Sequence, residues 1–162
     1  MADSSFDLVS DFDQQELVNA LDQVRREIAT RYDFKASKAG IEIAKDELVL
    51  TADDEYRAAA VKDLVQSKAV RRGLSLKIFE WGKLEPAAGG TVRQHVALKR
   101  GLSAEQAKQL SKLIREQFPK VKPSIQGDAV RVSAKSKDEL QGVIGRLRGI
   151  EYPVELQFTN YR

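Results

Sequence analysis

The chain carries one supersecondary pattern twice, 82 residues apart, and that repeat limits the folds open to it. Residues 125–148 read as strand, tight turn, strand, helix cap and helix. Gly127-Asp128 stands between two short extended runs and marks a hairpin turn. Val130 and Val132 alternate with Arg131 and Ser133, the period of a half-buried strand. Ser136, with Glu139 three residues on, has the spacing of a capping box. Leu140, Val143, Ile144 and Leu147 then recur at helical spacing as one apolar stripe. Residues 41–64 repeat the pattern, with Asp46 matching Asp128 and 48–50 matching 130–132 at the same offset. A unit that occurs twice points to an internal duplication.

The remaining spacing predicts strands at 5–10, 40–44, 47–51, 74–79, 91–99 and 154–159. Helices are expected from Asp13 to about Arg31, from Asp53-Asp54 to near Gly73, and from Ser103 to Pro119. Residues 82–90, GKLEPAAGG, have no periodicity and read as a linker. The expected domains are therefore 1–82 and 91–162, with 83–90 between them. Each half reads strand, helix, strand, strand, helix, strand. That is the ferredoxin-like, or split βαβ, order: an α+β tandem of antiparallel sheets, each with helices on one face.

The net charge of +3 is unevenly distributed. Residues 1–82 hold 12 Lys+Arg against 16 Asp+Glu, and residues 83–162 hold 15 against 8. Two readings follow: an anionic partner for the basic half, or mutual attraction between the halves. There is no cysteine and one histidine, His95, so no metal site and no cofactor is expected. No Gly-rich loop ending in Lys-Ser/Thr occurs, and no GxGxxG. The acidic start MADSSFDLVSDFDQQ does not resemble a secretory signal, and no apolar run reaches about 18 residues. The expectation is a cytoplasmic protein with no membrane span.

Alternation assigns the open faces of the sheets. Arg93, His95 and Lys99 share one side of their strand. Lys122, Ser124 and Gln126 share one side of the next, and Arg131, Ser133 and Lys135 one side of the one after. These are phosphate and base-edge partners, although a one-sided sheet ordinarily has a solvated polar face. The third strand of each half, 47–51 and 129–133, lacks the alternating aromatics of an RNA-recognition module. Tyr32, Phe34, Phe79 and Trp81 lie at element ends; Phe34 and Trp81 are the candidates for stacking on a base, against the commoner role of capping the core.

SFDLVSDFD, EIATRYDFKASKAGIEI, LTADDEYR, KAVRRGLSLK, GGTVRQHVALKRGLS, IQGDAVRVSAKSKDELQ and LQFTNYR, in this order along essentially the whole chain, resemble the YajQ family of bacterial proteins. The resemblance implies nucleotide binding and two ferredoxin-like domains that exchange their N-terminal strands. Strand 5–10 would join the second sheet and strand 92–99 the first. It implies no catalytic residue. The expected function is therefore non-enzymatic binding of a nucleotide or RNA, with GTP, ATP, cyclic di-GMP and tRNA as candidates. Its phosphates would meet Arg93, Lys99, Lys122, Arg131 and Lys135, with His95 and Gln126 as polar contacts. The alternative is a regulatory or adaptor module that binds a protein partner and meets polyanions only incidentally.

Overall fold

A computed structural model describes residues 3–31, 34, 35 and 37–162. The elements in chain order are β1 (Ser4–Val9), α1 (Gln14–Thr30), β2 (Gly40–Ala44), β3 (Glu47–Ala52), α2 (Glu55–Arg71), β4 (Phe79–Pro86), β5 (Val92–Leu98), α3 (Ala104–Gln117), β6 (Lys122–Gln126), β7 (Ala129–Ala134), α4 (Lys137–Arg148) and β8 (Gln157–Thr159). The fold is α+β, with two four-stranded antiparallel sheets and four α-helices among the described residues. The chain divides into two compact units. One, the split unit, combines the described residues up to Asp11 with Arg100–Arg162; the other, the continuous unit, is Phe12–Lys99.

The split unit holds the sheet β6-β7-β1-β8, and the continuous unit holds β2-β3-β5-β4. Counting β1 and β5 as the first strand of the sheet each joins, both orders read second, third, first, fourth, which is compatible with a ferredoxin-like sheet. The repeat survives in the fold: β2 and β6, β3 and β7, and the caps Asp54 and Ser136 all correspond at the offset of 82.

Local chemistry accounts for these boundaries. Asp13 caps α1 by accepting from the Gln15 and Glu16 amides, and Leu17, Ala20, Leu21 and Val24 are buried along one stripe. Ser103 and Gln106 form a reciprocal capping box on α3. Each two-residue hairpin contains one left-handed residue, Asp46 (φ 58°) in one and Gly127 (φ 60°) in the other. The left-handed position is second in the first loop and first in the second, so the two turns differ although the strands they join correspond. Phe6, Leu8, Val130 and Val132 are buried with the α3 and α4 stripes in the split unit. Leu48, Leu50 and Val96 are buried with α1 and α2 in the continuous unit. Pro123, which cannot donate to a ladder, is tolerated because β6 is an edge strand.

Five sequence expectations need correction. The fourth strand is Phe79–Pro86, preceded by a short 3-10 turn at Leu76–Ile78, so most of the segment read as a linker is strand. A register shift between Trp81 and Leu84 breaks the alternation that would have revealed it. The last strand is only Gln157–Thr159, because β1 ends at Val9 and offers no partner to residues 154–156. Ser136 caps α4 through the Asp138 amide at 3.2 Å, without a reciprocal bond from Glu139. Ile125, which alternation with Ser124 and Gln126 places on the core side, is 44% exposed, because the core of this edge strand reaches Pro123 and stops short of Ile125. The charge asymmetry belongs to the halves and not to the units. Counted by unit, the split one has 12 Lys+Arg against 10 Asp+Glu, and the continuous one 15 against 14.

Candidate functional site

The residues singled out from the sequence separate into two groups. Arg93, His95, Lys99, Phe34 and Trp81 belong to the continuous unit. On its open face Arg93 is flanked in register by Thr51 and Glu85. His95 Nδ1 lies 3.3 Å from Glu47 Oε1. The half-buried Lys99 donates its backbone amide to the Ile78 carbonyl at 2.8 Å. Arg93 and His95 are therefore each beside a carboxylate, and Lys99 lies just past the end of β5.

The stacking expectation for Phe34 is corrected. Phe34 is 4% exposed, belongs to the core, and has the Arg31 guanidinium 5.2 Å from its ring centroid. A ring enclosed on these sides has no face for a base. Trp81 pairs in register with the buried Val96, which puts it on the helix side of the sheet. Lys62 Nζ lies 4.9 Å from its ring centroid. Tyr32 lies outside the described residues.

The other group, Lys122, Gln126, Arg131 and Lys135, belongs to the split unit. Arg131 is committed to Asp7, its register partner on β1, through a 3.0 Å bond from Nε. Gln126 lies at the far end of β6 and donates to Ser124 Oγ at 3.1 Å. Lys122 and Lys135 do meet. With Lys120, Ser133, Ser136, Asp3 and Glu139 they line a cavity of about 480 Å³. It sits where β6 and β1 begin, where β7 ends, and at the first turn of α4. Ser133 Oγ donates to the Lys122 carbonyl at 3.3 Å and ties the edge strand to its neighbour. None of the three lysine side chains has an ion pair or hydrogen bond among the described residues. The positive end of the α4 dipole adds to their field.

The internal repeat shows what is unusual here. At the offset of 82, Lys135 corresponds to Asp53, Ser136 to Asp54 and Glu139 to Arg57. In the continuous unit the Asp53 carboxylate accepts from the Ser37 hydroxyl and from the Lys38 amide at 3.0 Å, with Arg57 Nε 3.7 Å away. The Ser37 hydroxyl, followed by the Lys38 amide, holds that carboxyl below its ordinary range. That unit thus carries its own anion in front of the helix. The split unit has a lysine at the same position, and two more lysines facing the space. Lys120 and Ser136 escaped face assignment because neither lies in a strand; comparing the two repeats at Asp53 and Lys135 was the signal that finds them.

Comparison with known proteins agrees with the earlier resemblance. Residues 4–162 match a family model described as nucleotide-binding protein YajQ-like. A protein of Synechococcus elongatus, named nucleotide-binding protein, is 60% identical over 159 residues, covering 98% of both chains. Proteins of the same name from Chloroflexus aurantiacus and Trichodesmium erythraeum are 58% and 56% identical, covering 99% and 98% of each chain. Taken together, the match over nearly the whole chain and these identities place the protein in the YajQ-like family.

Proposed function

We propose that this protein is a non-enzymatic nucleotide-binding protein whose ligand phosphates occupy the lysine-lined cavity of the split unit. The observation that carries the reading is the charge inversion at the repeated position: Lys135 stands where the duplicate unit has the Asp53 carboxylate. Lys120, Lys122 and Lys135 supply point charges, and the first turn of α4 supplies amides and dipole. Asp3 and Glu139 on the same wall are acceptors for ribose hydroxyls or base N–H groups. The volume of the cavity falls within the usual range for small-ligand sites. We also infer that the two units are ferredoxin-like domains that have exchanged their first strands, which the membership of β1 and β5 supports.

The test is calorimetric titration of the pure protein with GTP, ATP and cyclic di-GMP, repeated with Lys135→Asp. That substitution gives the split unit the internal carboxylate of its duplicate. A charge-assisted contact is worth about 1.5–3 kcal/mol, so the variant should bind about ten- to a hundredfold more weakly. Equal binding by both proteins would remove the cavity from the reading. Failure of the wild type to bind any nucleotide, with capture of tRNA only at low salt, would replace it with non-specific polyanion binding.

A further inference from the structure

We propose a second anion-binding site, on the continuous unit, where the C-terminal parts of α1 and α2 form an open groove for linked phosphates. The groove encloses about 600 Å³ and is lined by Arg26, Lys68, Arg71 and Arg72, with Gln23, Glu27 and Thr30 as the remaining groups. Four cations face one carboxylate, in a unit whose overall charge is close to balanced. Glu27 is already held by Lys68 at 2.8 Å, which keeps its carboxyl below the ordinary range. The side chains of Arg26 and Arg71 have neither ion pair nor hydrogen bond among the described residues. Arg72 Nε is shut away from solvent without a hydrogen-bond acceptor, and Glu16 Oε2 stands 3.6 Å from it. A buried donor with no acceptor is uncommon and costly unless something else satisfies it.

The duplication separates this groove from ordinary helix chemistry. Basic residues near a helix C-terminus offset its dipole, which accounts for Lys68 and Arg71 in part. However, α1 and α2 have 17 residues each, whereas the corresponding α3 and α4 have 14 and 12. With their caps aligned, the extra turns lie at the C-terminal ends. Thr30, Lys68 and Arg71 stand on those extra turns, and Arg72 directly follows them. Three of the four cations lie on or directly after this overhang, and Arg26 lies just before it. Among the described residues the lining contains no aromatic ring and no apolar side chain. Arginines in such a row suit phosphate oxygens, which they bind in a bidentate way. The ligand class is therefore a chain of linked phosphates, from a nucleoside polyphosphate or from the backbone of a nucleic-acid strand.

The experiment uses the full chain, with Arg26→Glu/Arg71→Glu and Arg26→Gln/Arg71→Gln as variants. The probes are inorganic tripolyphosphate, by calorimetry, and fluorescein-labelled oligothymidylate, by anisotropy, each at about 50 and about 200 mM salt. Thermal melting establishes that the variants are folded, and the glutamine pair guards against repulsion that a mere surface charge would cause. Two lost phosphate contacts on a single strand reduce the salt slope by about 1.4. Across that salt interval the wild type should lose about sevenfold more affinity than the glutamine variant. Loss of oligothymidylate binding in the variants identifies a strand backbone; loss of tripolyphosphate binding alone identifies a polyphosphate. Unchanged affinity and salt slope for both probes overturns the site. Lys122→Glu/Lys135→Glu, which alters only the cavity of the split unit, serves as the independent reference, so failure of one site is distinguishable from failure of the other.

Discussion

Arg131 Nε donates to Asp7 Oδ1 at 3.0 Å across the β1–β7 ladder, although 124 positions separate the two residues in the chain. Asn160, itself left-handed at φ 53°, donates from Nδ2 to the other carboxylate oxygen at 2.8 Å. The Asp7 side chain is 13% exposed, and the Arg131 bond is the main cause of its lowered pKa. The folded carboxyl therefore titrates below its ordinary value of about 3.9. Its contribution to stability is complete above that value and disappears as the pH falls through the folded one. Asp7→Asn should thus be less stable than the wild type in urea at neutral pH, with the difference shrinking below about pH 4. A difference that grows in acid would contradict this account. Arg131→Ala leaves a shielded carboxylate without its guanidinium and should cost about 1–3 kcal/mol.

Phe6 brings the N-terminal strand into the core of the split unit. Its ring is 1% exposed and meets Phe158 edge to face at 5.6 Å. Phe6→Ala should lower the unfolding free energy by about 3–5 kcal/mol. Urea denaturation with an unchanged midpoint would mean that β1 is dispensable to that core.

Gly82 lies in the irregular stretch of β4, where a Cβ would stand 2.7 Å from the His95 carbonyl oxygen. The obstacle is backbone and cannot swing away. Gly82→Ala should therefore cost about 1–3 kcal/mol, the usual range for overpacking. Gly90 provides a contrast: it needs a left-handed backbone at φ 75° but faces open space. Gly90→Ala should cost only the conformational term of about 1–2 kcal/mol. Thermal melts of the two variants measure these losses, and a Gly82→Ala protein as stable as the wild type would contradict the backbone clash.

The two serine caps should behave differently in a double-mutant cycle. Ser103 and Gln106 bond to each other's backbone, whereas Ser136 bonds only to the Asp138 amide. Ser103→Ala and Ser136→Ala should each cost about 1 kcal/mol. Combining Ser103→Ala with Gln106→Ala should be non-additive, and combining Ser136→Ala with Glu139→Ala additive. Equal coupling in both pairs would show that α4 carries a reciprocal cap as well.

Local patterns carried the sequence reading a long way. The offset of 82, the two hairpins, the helix stripes and the caps at Asp13 and Ser103 are all short-range, and all stand in the structure. Alternation also gave the correct outward side for Arg93, His95 and Arg131. What each of these meets there depends on register between distant strands, which periodicity does not encode. Alternation alone thus offers Arg131 as a phosphate contact, although Asp7 lies opposite it. Residues 82–86 were read as linker because an irregular pairing erases alternation. Lys120 and Ser136, which complete the candidate cavity, lie between elements, where no period applies. The sequence did contain one further clue to them, the exchange of Asp53 for Lys135 between the repeats.

The membership of β1 and β5 also bears on how the chain acquires its fold. Residues 12–99 are an uninterrupted stretch inserted into a unit that begins before them and ends after them. During synthesis the insert has all its strands as soon as β5 has emerged. Phe6 and Leu8 have by then been made but have no sheet to enter until β7 follows. The boundaries of the two compact units therefore do not coincide with those of the duplication. Each half contains three strands of one sheet and the missing strand of the other. Expressed alone, a half is left with one incomplete sheet and one orphan strand, and a second copy of the same half cannot supply the strand that its sheet takes from the other half.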